Sequence, residues 1–140
     1  MIPGENDSDA EIDALSRWVV ENLGPDVPLH FSAFHPDWKM TDTPATPTET
    51  LTRARAVALK NGLRYVYTGN VHDPKCGSTY CSKCGALLIG RDWYNLTACN
   101  LSFEGNHKGD CKSCGTPLPG VFDGPPGDWG RKRLPLRLGR

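Results

Sequence analysis

The sequence predicts a mixed α/β chain: two helix–strand units in the order α, β, α, β, followed by a small module stapled by a metal. Three observations lead there. Before Asn70, runs with helical apolar spacing alternate with short runs rich in β-branched and aromatic residues. Two Cys-x-x-Cys-Gly knuckles, Cys81 to Gly85 and Cys111 to Gly115, are separated by the 26 residues 85–110. Finally, 15 Gly and 12 Pro among 140 residues exceed average use, and they concentrate after Asn70.

The first helix is read from Ser8 to Leu23. Ile12, Leu15, Val19 and Leu23 recur at helical spacing with Trp18 beside them. Ser8 and Glu11 form a capping-box pattern, and Gly24 marks the stop. Pro28 to Phe34 follows as a short buried strand, broken by His35-Pro36-Asp37. Thr46-Pro47-Thr48-Glu49 reads as a second capping box, with proline at the first helical position. The helix it opens runs to about Asn61 and stops at Gly62. Leu63 to Tyr67 is the second strand, ended by Gly69-Asn70. This alternation implies a parallel sheet with right-handed crossovers. Two parallel strands do not make a stable sheet alone, so residues 1–70 read as part of something larger.

Residues 71–120 read as the metal-bound module. Asp123-Gly124-Pro125-Pro126-Gly127 reads as a linker, and Arg131 to Arg137 as a disordered basic tail within a 121–140 segment. Lys+Arg and Asp+Glu are 16 each, so no bulk attraction to nucleic acid or membrane follows. Residues 71–120 hold five Lys/Arg and four Asp/Glu, which leaves no cationic groove, and nucleic acid is not an expected partner. No apolar run approaches the roughly 18 residues of a membrane helix. Seven acidic residues in the first thirty, against Arg17 as the one Lys or Arg, are unlike a secretory signal, so a cytoplasmic setting is expected.

In a reducing compartment, paired Cys-x-x-Cys motifs favour a metal over a disulfide. Cys81, Cys84, Cys111 and Cys114 are therefore the predicted ligands, one tetrahedral four-thiolate site. The glycine after each pair can take positive φ and close the turn around the sulfurs. Zinc is the expected ion. Iron, which also accepts four thiolates, and an iron–sulfur variant stay open. Cys76 and Cys99 are left over, read as a loop thiol and a half-buried strand residue, or else as an alternative ligand or redox pair. His72 and His107 flank the module and could replace a cysteine.

Four blocks carry a family resemblance: Ile2-Pro3-Gly4-Glu5-Asn6-Asp7; Val27 to Met40 with His35-Pro36-Asp37-Trp38; Tyr65 to Val71; and Thr79-Tyr80-Cys81. In that order they resemble the C-terminal half of the AmmeMemoRadiSam-system radical SAM enzymes, which are similar to pyruvate formate-lyase activating enzymes. The resemblance covers residues 2 to about 122. It implies the last units of a partial β/α barrel, followed by a rubredoxin-like zinc ribbon. It implies that Met1 falls at the end of a barrel strand. It places His35 near S-adenosylmethionine, with Asn6, Asp7 and Asn70 on loops of the same face.

The family's Cys-x3-Cys-x2-Cys loop, whose thiolates hold a [4Fe-4S] cluster, is missing from these 140 residues. Cys76, Cys81 and Cys84 have a different spacing and follow the last strand rather than the first. The resemblance therefore implies that the cluster and S-adenosylmethionine belong to the complete fold. This chain alone is expected to be non-catalytic, a fragment or split subunit needing a radical SAM N-terminal half. The alternative is a stand-alone zinc-ribbon module that binds a protein or nucleic acid.

Overall fold

The computed structural model describes residues 1–105 and 107–127. The expected basic tail, Arg131 to Arg137, lies outside them. Helix α1, Asp9–Leu23, leads to strand β1, Leu29–Ser32; helix α2, Thr48–Lys60, leads to β2, Val66–Gly69. The strands pair in parallel, with Leu29 opposite Val66 and Ser32 opposite Gly69. The αβαβ order and parallel sense agree with the sequence reading.

Both helices pack on one face of this sheet. Ile12 and Val19 of α1 meet Leu51, Ala54 and Ala58 of α2 over Phe31 and Val66. Ala54 and Ala58, one helical turn apart and fully buried, let the two helices approach closely. Asn61 fixes the approach. Its side-chain amide donates to Ser16 Oγ at 2.7 Å and to Asp13 Oδ1 at 2.9 Å. That bond is the chief cause holding the Asp13 carboxyl below its ordinary pKa.

Three sequence expectations change. At Ser8 the cap forms, with Glu11 N donating to Ser8 Oγ, but the Glu11 carboxylate takes the Ser8 hydroxyl rather than a backbone N–H. At the second helix the N-cap is Pro47, without a side-chain cap. The Thr46 hydroxyl is committed elsewhere, accepting from Phe34 N at 2.8 Å and donating to Met1 O at 2.6 Å. The second strand starts at Val66 and runs through Gly69. Leu63 instead closes α2, its N–H donating to Ala58 O, and Asn70 ends the strand at φ +59°. The predicted stripe of α1 is also only half covered: Ile12 and Val19 are buried, while Leu15 is 46% and Leu23 55% exposed.

After β2, a four-residue helix α3, Pro74–Gly77, leads into two small antiparallel sheets. One joins β3, Thr79–Tyr80, β4, Leu87–Asp92, and β5, Asn95–Cys99; the other joins β6, Leu101–Ser102, and β7, Asp110–Cys111. Their shared core holds Leu88, Leu101, Leu118, Cys81 and Cys111. Tyr65, at the foot of β2, belongs to this core, so the second half packs directly on the parallel sheet. The packing runs past Gly120: Phe122 joins this core and lies against Gly109, where a Cβ would come within 2.3 Å of its ring. No helix among the described residues is long and apolar enough to cross a membrane.

Candidate metal centre

The two knuckles are built alike. In the first, Cys81 N donates to Ala86 O at 2.8 Å and Gly85 N donates to Cys81 O at 2.9 Å. In the second, Cys111 N donates to Thr116 O at 2.9 Å and Gly115 N donates to Cys111 O at 2.8 Å. Gly85 and Gly115 take φ +72° and +69°, with open space where a Cβ would stand. The glycines are there for the backbone conformation, not for want of room.

Asn100 ties the two turns together. Its N–H donates to Leu88 O and its side-chain amide to Leu87 O, both on β4 beside the first knuckle. Its carbonyl accepts from Lys112 N inside the second knuckle. Sequence reading had no signal for this residue, because the link depends on three segments meeting.

The Sγ atoms of Cys81, Cys84, Cys111 and Cys114 all lie within 4.8 Å of one another. Cys81 and Cys111 are buried, Cys114 is half-buried and Cys84 is exposed. Two pairs cross between the knuckles, Cys81 to Cys114 at 3.6 Å and Cys84 to Cys111 at 3.8 Å. A disulfide needs about 2.05 Å, so these are not bonded pairs. Four sulfurs on a metal at about 2.3 Å stand about 3.8 Å apart, which matches the cross-knuckle distances. The donor set therefore fits one tetrahedral ion such as zinc or iron.

The thiols are not electrostatically equal. The hydroxyl and amide of Thr116 lower Cys114 to about 6. Burial raises Cys81, but hydrogen bonds from the Cys84 and Lys83 amides outweigh it and leave its pKa lowered. The Ala86 amide lowers Cys84, yet sharing protons with Cys114, burial, and the Cys81 and Cys111 sulfurs push it up to about 12. Crowded sulfurs that hold one another's protons are sulfurs that a cation would relieve of them.

The remaining candidates lie elsewhere. Cys76 is buried in α3 rather than in a loop, its amide bonded to Asp73 Oδ1, and burial raises its pKa. Cys99 is half-buried on β5. Neither belongs to the four-sulfur cluster. His72 Nε2 pairs with Asp92 Oδ1 at 3.0 Å and stays out of the cluster, as does His107. His35 is exposed in the segment after β1, near the carboxyl end of the strand. Asn70 reaches back to the same end, donating to Ala33 O at 3.3 Å.

His30, on β1, lies on the same face of the sheet as Tyr67 of β2. It stacks on Tyr67 with ring centroids 4.8 Å apart. Arg91 of β4 lies 5.7 Å from the Tyr67 centroid and donates to Thr79 Oγ1 at 2.7 Å. Burial first, then the Arg91 charge, lowers the His30 pKa.

Among curated proteins, this chain is similar to an uncharacterized protein of Methanocaldococcus jannaschii, 46% identical over 118 residues. The match takes in 84% of this chain and 34% of that protein, so the chain spans about a third of its relative's length. No family model matches, and no solved structure matches.

Proposed function

We propose that this chain is the metal-bound C-terminal portion of a larger β/α-barrel enzyme of the radical SAM type. Its ribbon is a structural zinc site and its catalysis depends on polypeptide outside the chain. One observation carries the metal role: four convergent thiolates, two of them buried, held by duplicated knuckle hydrogen bonds. Four thiolates close a tetrahedron and leave no position for a substrate, which suits a structural ion. The parallel αβαβ unit and the order of the four sequence blocks support the barrel reading. His35 and Asn70, at the carboxyl ends of the two strands, lie where barrel enzymes place their ligand loops.

The test is metal and sulfide analysis of the purified chain, with an S-adenosylmethionine cleavage assay. One zinc per chain and no cleavage agree with the proposal. About four irons and four sulfides per chain, as in one [4Fe-4S] cluster, with cleavage, overturn it.

A second reading is a stand-alone ribbon module for a protein partner. It is favoured by the tip of the β4–β5 hairpin, where Trp93 is 51% and Tyr94 77% exposed. A stable complex between this chain and a polypeptide bearing Cys-x3-Cys-x2-Cys supports the first reading. Loss of binding to any partner on Tyr94→Ser, without such a complex, supports the second.

A further inference from the structure

The two edges of the parallel sheet are finished differently. Leu29 N donates to Tyr65 O and Ala33 N donates to Gly69 O, so the main-chain N–H and C=O groups of the odd-numbered residues point toward the neighbouring strand. Even-numbered residues then turn their main-chain groups outward. On the β2 side, Val66 O is taken by Arg55 Nε at 2.9 Å, so the chain covers part of this edge with its own side chain.

On the β1 side, Met1 makes two main-chain bonds. Met1 N donates to Ser32 O at 2.6 Å, and Phe34 N donates to Met1 O at 3.2 Å. One residue bonding to two residues spaced in this way is the ladder pattern of a parallel pair, with Met1 opposite Ala33. The Thr46 hydroxyl pins Met1 O there. Farther back along β1, the His30 main chain has no hydrogen-bond partner among the described residues. A groove of about 400 Å³ runs beside this stretch, lined in part by Met1, Ile12, Leu15, Leu29 and Phe31. Leu15, on its rim, is one of the apolar residues of α1 that the fold leaves about half uncovered.

We propose that the β1 edge receives a parallel β-strand running in line with Met1 and supplied by polypeptide beyond these 140 residues. The register follows from the Met1 bonds. The strand residue two places ahead of Met1 stands opposite Phe31, and the one four places ahead stands opposite Leu29. Both face the helices and should be apolar, filling the groove against Ile12 and Leu15. The residues between them face the side of His30 and Ser32. Main-chain bonds supply the affinity and the alternate side chains the specificity, as in other strand additions. The relative is about three times as long as the matched part, so further polypeptide accompanies the matched unit there. The inference deepens the barrel reading and rests on it only for the source of the strand.

The test uses the full chain carrying Val-Thr-Val-Thr ahead of Met1, behind a new initiator. This places valines opposite Phe31 and Leu29 at high local concentration. Amide exchange is read by NMR at Ser32 and His30, whose N–H groups would bond the added strand. In the unextended chain both exchange quickly. With Val-Thr-Val-Thr both slow by about tenfold or more, while Gly-Ser-Gly-Ser leaves them fast. No slowing with Val-Thr-Val-Thr overturns the inference. So does a protected His30 amide in the unextended chain, including protection through a dimer, which light scattering would reveal. Zinc content measured in the same samples separates the outcomes. An unresponsive edge on a chain with one zinc defeats this inference alone, and a responsive edge on a chain without zinc defeats the ribbon reading.

Discussion

Cys81 Sγ lies 3.6 Å from Cys114 Sγ, in the other knuckle and 33 positions away in sequence. Cys84 likewise meets Cys111 across the knuckles, at 3.8 Å. The centre therefore staples the β3–β4 turn to the segment after β7. The surrounding core is small, with Leu88, Leu101 and Leu118 as its main aliphatic members. A core of that size needs the staple.

Metal removal should unfold the second half of the chain. Binding energy at a structural four-ligand zinc site is folding energy, on the order of 10 kcal/mol or more. Cys84→Ser or a chelator should collapse the amide dispersion of residues 71–120, whereas Cys76→Ser and Cys99→Ala should keep one metal per chain. Unchanged dispersion in a metal-free sample would contradict the staple.

Gly85→Ala and Gly115→Ala should each destabilise by roughly 1–2 kcal/mol, because positive φ costs a side chain about that much. No atom lies within 4 Å of either added Cβ, so the effect is conformational rather than steric. Thermal unfolding of the metal-loaded protein, together with the rate of zinc transfer to a chelator, measures it. Equal effects at the two glycines are expected from their matching φ values.

The duplicated knuckles were legible in the sequence because a knuckle is a local structure: two cysteines, a turn and a glycine fix it. The Ser8 cap was legible for the same reason. Thr46 was misread because its hydroxyl serves a distant pair, Phe34 and Met1, rather than the helix it precedes. Leu63 was misread as strand because burial, not strand pairing, explains its character; it closes α2. Leu15 fits the apolar stripe of α1 but faces an open groove, and periodicity cannot report whether a stripe finds its partner. Asn100 and Arg91 carry no local sequence signal, because each acts between segments that only the fold brings together.

Thr46→Val should cost roughly 1–3 kcal/mol, since it removes the hydroxyl shared by Phe34 N and Met1 O while nearly keeping side-chain volume. Urea unfolding followed by far-UV circular dichroism would measure it. An unchanged midpoint would show that water replaces both bonds.

His30 should titrate below the ordinary histidine value of 6.5, chiefly through burial and then through Arg91. The folded state thus disfavours the proton relative to the unfolded chain. The associated stability is present above pH 6.5 and is lost as pH falls through the folded pKa. NMR titration of the imidazole gives the midpoint directly, and Arg91→Gln should move it part of the way back up.

The most direct test of the account is X-ray absorption at the metal edge of the purified chain. The account predicts one zinc per chain with four sulfur neighbours at about 2.3 Å and no nitrogen or oxygen in the first shell. A shell containing histidine or water, or fewer than four sulfurs, would contradict it.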